Sequence, residues 1–176
     1  FNELPLFRDH VLLLQNTGEQ NVSGIDVAFD QRFDVADGTL KLFFDATHYV
    51  SFERNRPGSD FIEELAGTWR YPENIASLGL SWSGEAFFTS LTAYYTSAYA
   101  DDISGLRGRE LDELDALGVL NADGERDVAA WTTVRANIGY DFANASISLN
   151  VDNLFDRDPP RAYGSSRGFD SINHDA

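Results

Sequence analysis

The side chains best suited to chemistry in this chain are arginines and aromatic rings gathered in polar stretches. Arg54, Arg56, Trp69, Arg70 and Tyr71 occupy one stretch, Arg107 and Arg109 a second, and Arg157, Arg161, Tyr163 and Arg167 a third. A guanidinium presents a planar fork of donors that matches a carboxylate or phosphate. An aromatic face packs on a flat ligand. Such stretches suit the capture of an anionic small molecule, and they also suit an ordinary solvated surface. Arg157, Arg161, Tyr163 and Arg167 are the candidate ligand contacts.

Other chemistries lack their residues. His10, His48 and His174 are far apart and have no convergent ligands at metal-binding spacing. Asn121-Ala122-Asp123-Gly124-Glu125 and Asp101-Asp102 offer carboxylates and carbonyls, but the EF-hand spacing is missing, so solvated loops are expected. Asp112 and Glu113 are expected on a solvated helix face. No Ser/His/Asp or nucleotide-loop pattern stands out. The expectation is a non-enzyme with no cofactor.

The elements that carry these residues follow from composition and periodicity. The chain has 176 residues, 43% of them hydrophobic, which excludes a disordered tail. The absence of cysteine excludes disulfides, thiol catalysis and Cys-ligated metal. A net charge of -16 argues against nucleic acid, which needs clustered Lys and Arg. It also argues against docking on an anionic membrane through a basic patch. Apolar runs are short, whereas a membrane helix needs about 20 apolar residues. Any membrane role must therefore use strands or a surface contact.

Alternation with period two marks strands. From Asn21 to Val35, Ile25, Val27, Phe29 and Phe33 oppose Asp26, Asp30, Arg32 and Asp34. Val11 to Gln15 is expected to begin the same strand, with Gly18 or Gly24 easing a bulge. After Asp37-Gly38, Leu40, Leu42, Phe44, Ala46, His48, Val50 and Phe52 oppose Lys41, Asp45, Thr47, Ser51 and Glu53, with Phe43 and Tyr49 interrupting the polar side. A third strand carries Ala76, Leu78, Leu80 and Trp82. A fourth carries Phe87, Leu91, Ala93, Tyr95 and Tyr99, with Phe88 and Tyr94 on its polar side. A fifth carries Ala130, Val134, Ala136, Ile138, Tyr140 and Phe142. A sixth carries Ile147, Leu149, Val151 and Phe155 against Ser146, Ser148, Asn150 and Asp152.

The connections alternate in length. Ala36-Asp37-Gly38, Ser83-Gly84 and Ala143-Asn144 read as tight turns. The segments 54–71, 101–127 and 156–176 read as long polar loops. Leu111, Leu114 and Leu117 predict a short helix before Gly118.

Globular strands average about 5–6 residues, whereas a membrane-spanning strand needs about 9–11. Long strands joined by short turns at one end and long loops at the other match transmembrane barrels. Trp82, Tyr140 and Phe142 beside the turns, with Phe87 and Tyr95/Tyr99 bracketing Leu91 and Ala93, suit an aromatic girdle. The opposite face, with Asp26, Asp30, Arg32, Lys41, Asp45, Arg135 and Asp152, must see water. The expected fold is all-β: an antiparallel up-and-down transmembrane β-barrel, present in part as about six long strands, because closed barrels of this kind start at about 8. Two rivals share the alternation: a passive porin, and a soluble β-sandwich binding carbohydrate.

A more specific signal is Val151-Asp152-Asn153-Leu154-Phe155-Asp156-Arg157-Asp158-Pro159-Pro160. It resembles the V-x-N-L-F-D-x-x-P-P segment of TonB-dependent outer-membrane receptors, which in that family leaves the next-to-last barrel strand for the last external loop. Gly24-Ile25-Asp26, Tyr94-Tyr95 with Tyr99-Ala100-Asp101, Trp131 through Tyr140-Asp141-Phe142, and Phe169 through Asp175 resemble other family segments in the expected order.

The resemblance implies location in the bacterial outer membrane and uptake of a scarce nutrient, such as an iron-siderophore complex, cobalamin or a sugar. It implies energy supplied through TonB. The implied partners are outer-membrane lipid and lipopolysaccharide, TonB acting through a plug region, and a small-molecule substrate such as a metal chelate. On this reading residues 1–176 are the C-terminal portion of the barrel. The chain lacks a starting methionine and the family's closing Gly-Arg strand, so the plug domain and final strand are expected to be missing from it. Strands would form the barrel wall, and the arginine-bearing loops would form part of the ligand vestibule.

Overall fold

The computed structural model describes residues 18–56, 58, 60–165 and 168–173. Val11 to Gln15, His10, His174 and Arg167 lie outside the described residues. Six long strands follow one another as neighbours: β1 (Glu19–Val35), β2 (Gly38–Asn55), β4 (Asn74–Ser83), β5 (Phe87–Thr96), β8 (Trp131–Phe142) and β9 (Ala145–Val151). Every pairing is antiparallel. Short β3 (Ile62–Glu64) pairs with the far end of β2, and β6 (Tyr99–Ala100) pairs with β7 (Asp127–Val128). Helix α1 (Arg109–Ala116) forms where the leucine spacing predicts it, before Gly118. The sheet is an open up-and-down meander, as expected of a barrel wall.

The register places like beside like. Val27 pairs with Ala46, Ala46 with Ala76, and Ala76 with Tyr95. Phe29, Phe44, Leu78, Ala93 and Val134 form a second row, and Leu42, Leu80, Leu91, Ala136 and Val151 a third. This face is exposed from edge to edge: Ile25, Leu78 and Leu149 are each more than half accessible. Soluble monomers rarely expose apolar patches beyond a few hundred Å². From Ile25 to Val35, ten steps of about 3.3 Å at a tilt near 40° give about 25 Å, the height of an outer-membrane apolar band.

The band ends abruptly at the loop end. The β1–β2 register shifts between Ser23 and Gly24, leaving Val50 as the extra residue on β2. A Cβ at Gly24 would stand 2.8 Å from the His48 carbonyl oxygen, so glycine permits the close approach that the bulge requires. The expected bulge is therefore present, but its extra residue belongs to the opposing strand. An extra residue reverses facing. Beyond it Phe52 pairs with Val22, on the face opposite Ile25 and His48. This corrects the placement of Phe52 on the apolar face. The band's continuation instead carries Ser23, Asn21 and Glu19 against Ser51, Glu53 and Asn55.

Three further expectations are corrected. The fourth strand stops at Thr96, and Tyr99 belongs to the separate β6, buried rather than on the girdle. The sixth stops at Val151 after 7 residues, because Asn153 and Asp156 adopt positive φ and turn the chain. Asp152 and Phe155 are therefore outside it. The stretch 54–71 is not all loop: β2 runs to Asn55, and β3 returns alongside it.

Buried apolar residues, Leu65, Tyr99, Leu114, Val128, Trp131 and Ala162, sit at the loop end rather than beneath the sheet. The dry core of the described chain is thus built from the loops. Among the described residues no helix is long and apolar enough to cross a membrane.

Candidate functional site

Two regions at the loop end present polar chemistry. The first is a concavity of about 570 Å³ on the polar face, whose lining includes Tyr94, Trp131, Thr133, Arg135, Asp152 and Asn173. Strand alternation brings Tyr94 and Arg135 to the same face, where the guanidinium lies 5.5 Å from the ring centroid. Arg135 also pairs with Asp152, which follows the last residue of the adjacent β9. Lower on this face the Asp30 carboxylate lies 2.6 Å from Lys41 and 3.8 Å from Arg32, and Thr47 donates to Asp26 at 2.6 Å. These charges are solvated and mostly compensated.

The second region is the loop cluster. Tyr99, Val128 and Ala162 form its buried centre, with Trp69 packed against it. Asp101, its side chain wholly buried, accepts hydrogen bonds from Arg126 Nη1 at 2.5 Å, Tyr163 N–H at 2.7 Å and Gly164 N–H at 3.0 Å. Asp170, also wholly buried, accepts from the Tyr99 hydroxyl at 2.9 Å, Asn173 Nδ2 at 2.8 Å and Ile172 N–H at 3.0 Å. Arg70 Nε lies 3.9 Å away. Buried carboxylates persist only when so satisfied.

Burial alone would raise the Asp170 carboxyl. The Ile172, Asn173 and Tyr99 hydrogen bonds, with the Arg70 charge, outweigh it and hold the pKa below the ordinary carboxylate value. Burial, then the hydrogen bond and charge of Asp170, push the Tyr99 hydroxyl far above the ordinary phenol value.

The candidate ligand residues fall on the last loop. Arg157 and Arg161 are exposed. Among the described residues neither guanidinium is paired with a carboxylate. Asn153 holds the Arg157 backbone in both directions, accepting from its N–H at 3.0 Å and donating to its carbonyl at 3.1 Å. Tyr163 carries its ring 4.9 Å from the Arg126 guanidinium.

Several other loop arginines are already engaged. Arg54 and Arg56 converge on Glu63, at 2.9 and 3.2 Å, and the Arg54 hydrogen bond is the largest cause of a lowered Glu63 pKa. Arg109 pairs with Glu113 one helical turn on, at 3.0 Å. Arg70 lies 5.2 Å from the Trp69 ring.

The sequence reading of Asp101 as a solvated loop acid is corrected: it is an internal anchor. The sequence assigns no role to the side chain of Arg126, and marks Asp170 only as part of the Phe169–Asp175 resemblance. The available signal was the Tyr99-x-Asp101 spacing, which puts both side chains on one side of a strand. Asn121 accepts from Asp123 N–H at 3.0 Å and Glu125 N–H at 2.8 Å, an ordinary Asx-type turn. His48 shares a hydrogen bond with Asn74 at 2.9 Å. Among the described residues no group of His and acidic side chains could hold a metal.

A family model described as TonB dependent receptor-like, beta-barrel, matches residues 4–154. No curated protein and no solved structure matches the chain.

Proposed function

Because this chain belongs to the TonB-dependent receptor β-barrel family, whose members reside in the bacterial outer membrane and drive transport through TonB, we propose that its loop cluster captures a metal chelate such as an iron-siderophore complex. Residues 1–176 then form the C-terminal portion of the barrel wall, an assignment supported by the Asn153-Leu154-Phe155-Asp156 turn, which resembles the family segment that enters the last external loop. Arg157, Arg161, Tyr163 and Arg167 are the proposed ligand contacts on the last external loop, with plug-bound TonB and the lipopolysaccharide leaflet as partners. The observation that carries the reading is the exposed pair Arg157 and Arg161, beside Tyr163, which among the described residues have no carboxylate partner, whereas several other loop arginines are engaged internally.

The test uses the full-length receptor in cells. Arg161→Ala and Arg167→Ala are expected to raise the half-saturation concentration for uptake of a radio-iron chelate while leaving the maximal rate unchanged. Unchanged affinity and uptake in both variants would overturn the assignment.

A neutral, hydroxyl-rich solute is the second reading. The concavity favours it, because Asp45 and Asp152 outnumber Arg135 there and repel an anion, and the aromatic residues Tyr94 and Trp131 are part of its lining. Competition of chelate uptake by a neutral oligosaccharide would favour this reading over the first.

A further inference from the structure

The last loop is gripped at two points, by the two-residue strand β6 and by the residue that follows it. On β6, Tyr99 and the residue after its end, Asp101, lie two positions apart and therefore point to the same side. Tyr99 holds Asp170 through its hydroxyl, and Asp101 holds the backbone amides of Tyr163 and Gly164. Between these points the segment folds on itself: Ala162 N–H donates to the Gly168 carbonyl at 2.9 Å, and Gly168 N–H to that of Ser165 at 3.1 Å.

The strand is itself anchored. Asp101 N–H donates to the Arg126 carbonyl at 2.7 Å, and Ala100 N–H to that of Gly67 at 2.8 Å. Arg126 closes the circuit by binding Asp101 and lying against Tyr163. Three chain segments, around 67–70, around 99–101 with 126–128, and the described residues 161–165 and 168–173, are thereby tied together.

The geometry points to Tyr99 and Asp101 as positioning residues that hold the described parts of the last loop, 161–165 and 168–170, in a preformed arrangement for ligand capture. This rests on the reading of that loop as the ligand surface. A loop that must be ordered at the moment of binding weakens apparent affinity by the fraction of time it spends in the competent shape. Two grips on a loop rich in Gly and Ser remove that penalty in advance. Neither residue need touch ligand.

The experiment compares full-length receptor with its Asp101→Asn and Tyr99→Phe variants. Asn would turn an amide nitrogen toward donors, whereas Phe keeps the ring packing and removes only the hydroxyl. Heat-modifiable mobility on a denaturing gel confirms that each barrel is folded. Hydrogen exchange of amides 162–172 is expected to accelerate about tenfold or more in both variants, with exchange in β4 and β5 unchanged. Uptake of radio-iron as ferric citrate and as a ferric catecholate is expected to show a half-saturation concentration raised about tenfold at unaltered maximal rate.

Unchanged exchange in folded Tyr99→Phe and Asp101→Asn overturns the proposal. Accelerated exchange with an unchanged half-saturation concentration overturns its link to capture. If wild-type receptor takes up neither chelate, the chelate reading alone falls, and the exchange result still decides whether these residues position the loop.

Discussion

Phe43 lies against the backbone of Gly79, its cross-strand partner, so closely that a Cβ there would stand 2.1 Å from the ring. Phe88 repeats the relationship with Gly139, also at 2.1 Å. Both pairs lie on the polar face, where the sequence shows phenylalanines interrupting an otherwise hydrophilic row. Each ring covers a glycine, which shields bare backbone and fixes the register of two strands.

Gly79→Ala is therefore expected to displace Phe43 and destabilise the receptor by about 1–3 kcal/mol, the usual cost of overpacking. The measurement is the urea midpoint in micelles, with the slope unchanged. Adding Phe43→Leu should recover part of the loss, because the two changes share one contact. An unshifted midpoint for Gly79→Ala would mean that the ring moves aside freely.

Ala36 and Asp37 both adopt positive φ in the β1–β2 turn, at 51° and 58°. This is the two-residue hairpin geometry that favours Asn first, and alanine is strained there. Ala36→Asn should raise stability by about 0.5–1 kcal/mol. A midpoint that falls instead would show that the turn is held by contacts other than its own dihedral preference.

Leu78 sits in the middle of the apolar band between Phe44 and Ala93, while Ser77 beside it on the strand faces Asp45 on the polar side. Leu78→Arg should cost about 2–4 kcal/mol in a lipid bilayer. Ser77→Arg should cost little, since its charge meets water and a carboxylate. Equal tolerance of both substitutions would contradict a lipid-facing band.

The loop cluster should be most stable across a broad neutral range. Asp170 is depressed in the folded state, so its contribution is present above the unfolded carboxylate value of about 3.9 and is lost as pH falls through the lower folded value. Tyr99 is raised, so its contribution is full below about 10 and is lost at more alkaline pH. Protection of the 162–165 and 168–172 amides from hydrogen exchange, taken relative to the intrinsic rate at each pH, should fall at both extremes. Tyrosinate absorbance should show one phenol titrating late, and that late component should vanish in Tyr99→Phe.

The sequence alone determined the two faces of the sheet, the tight turns, the α1 helix and the family resemblance. These are local properties: alternation along Leu40 to His48 is dictated by a two-residue repeat, and the Val151–Pro160 element by adjacent residues. The tertiary structure decided what depends on partners distant in the chain. Phe52 changes face because an extra residue, Val50, enters β2 only against the register of β1. Asp101 becomes a buried anchor because residues 163 and 164 bring their amides to it across more than sixty positions. No window of sequence contains both partners, so the loop cluster and the shape it gives to Arg161 and Tyr163 exist only once the strands have paired.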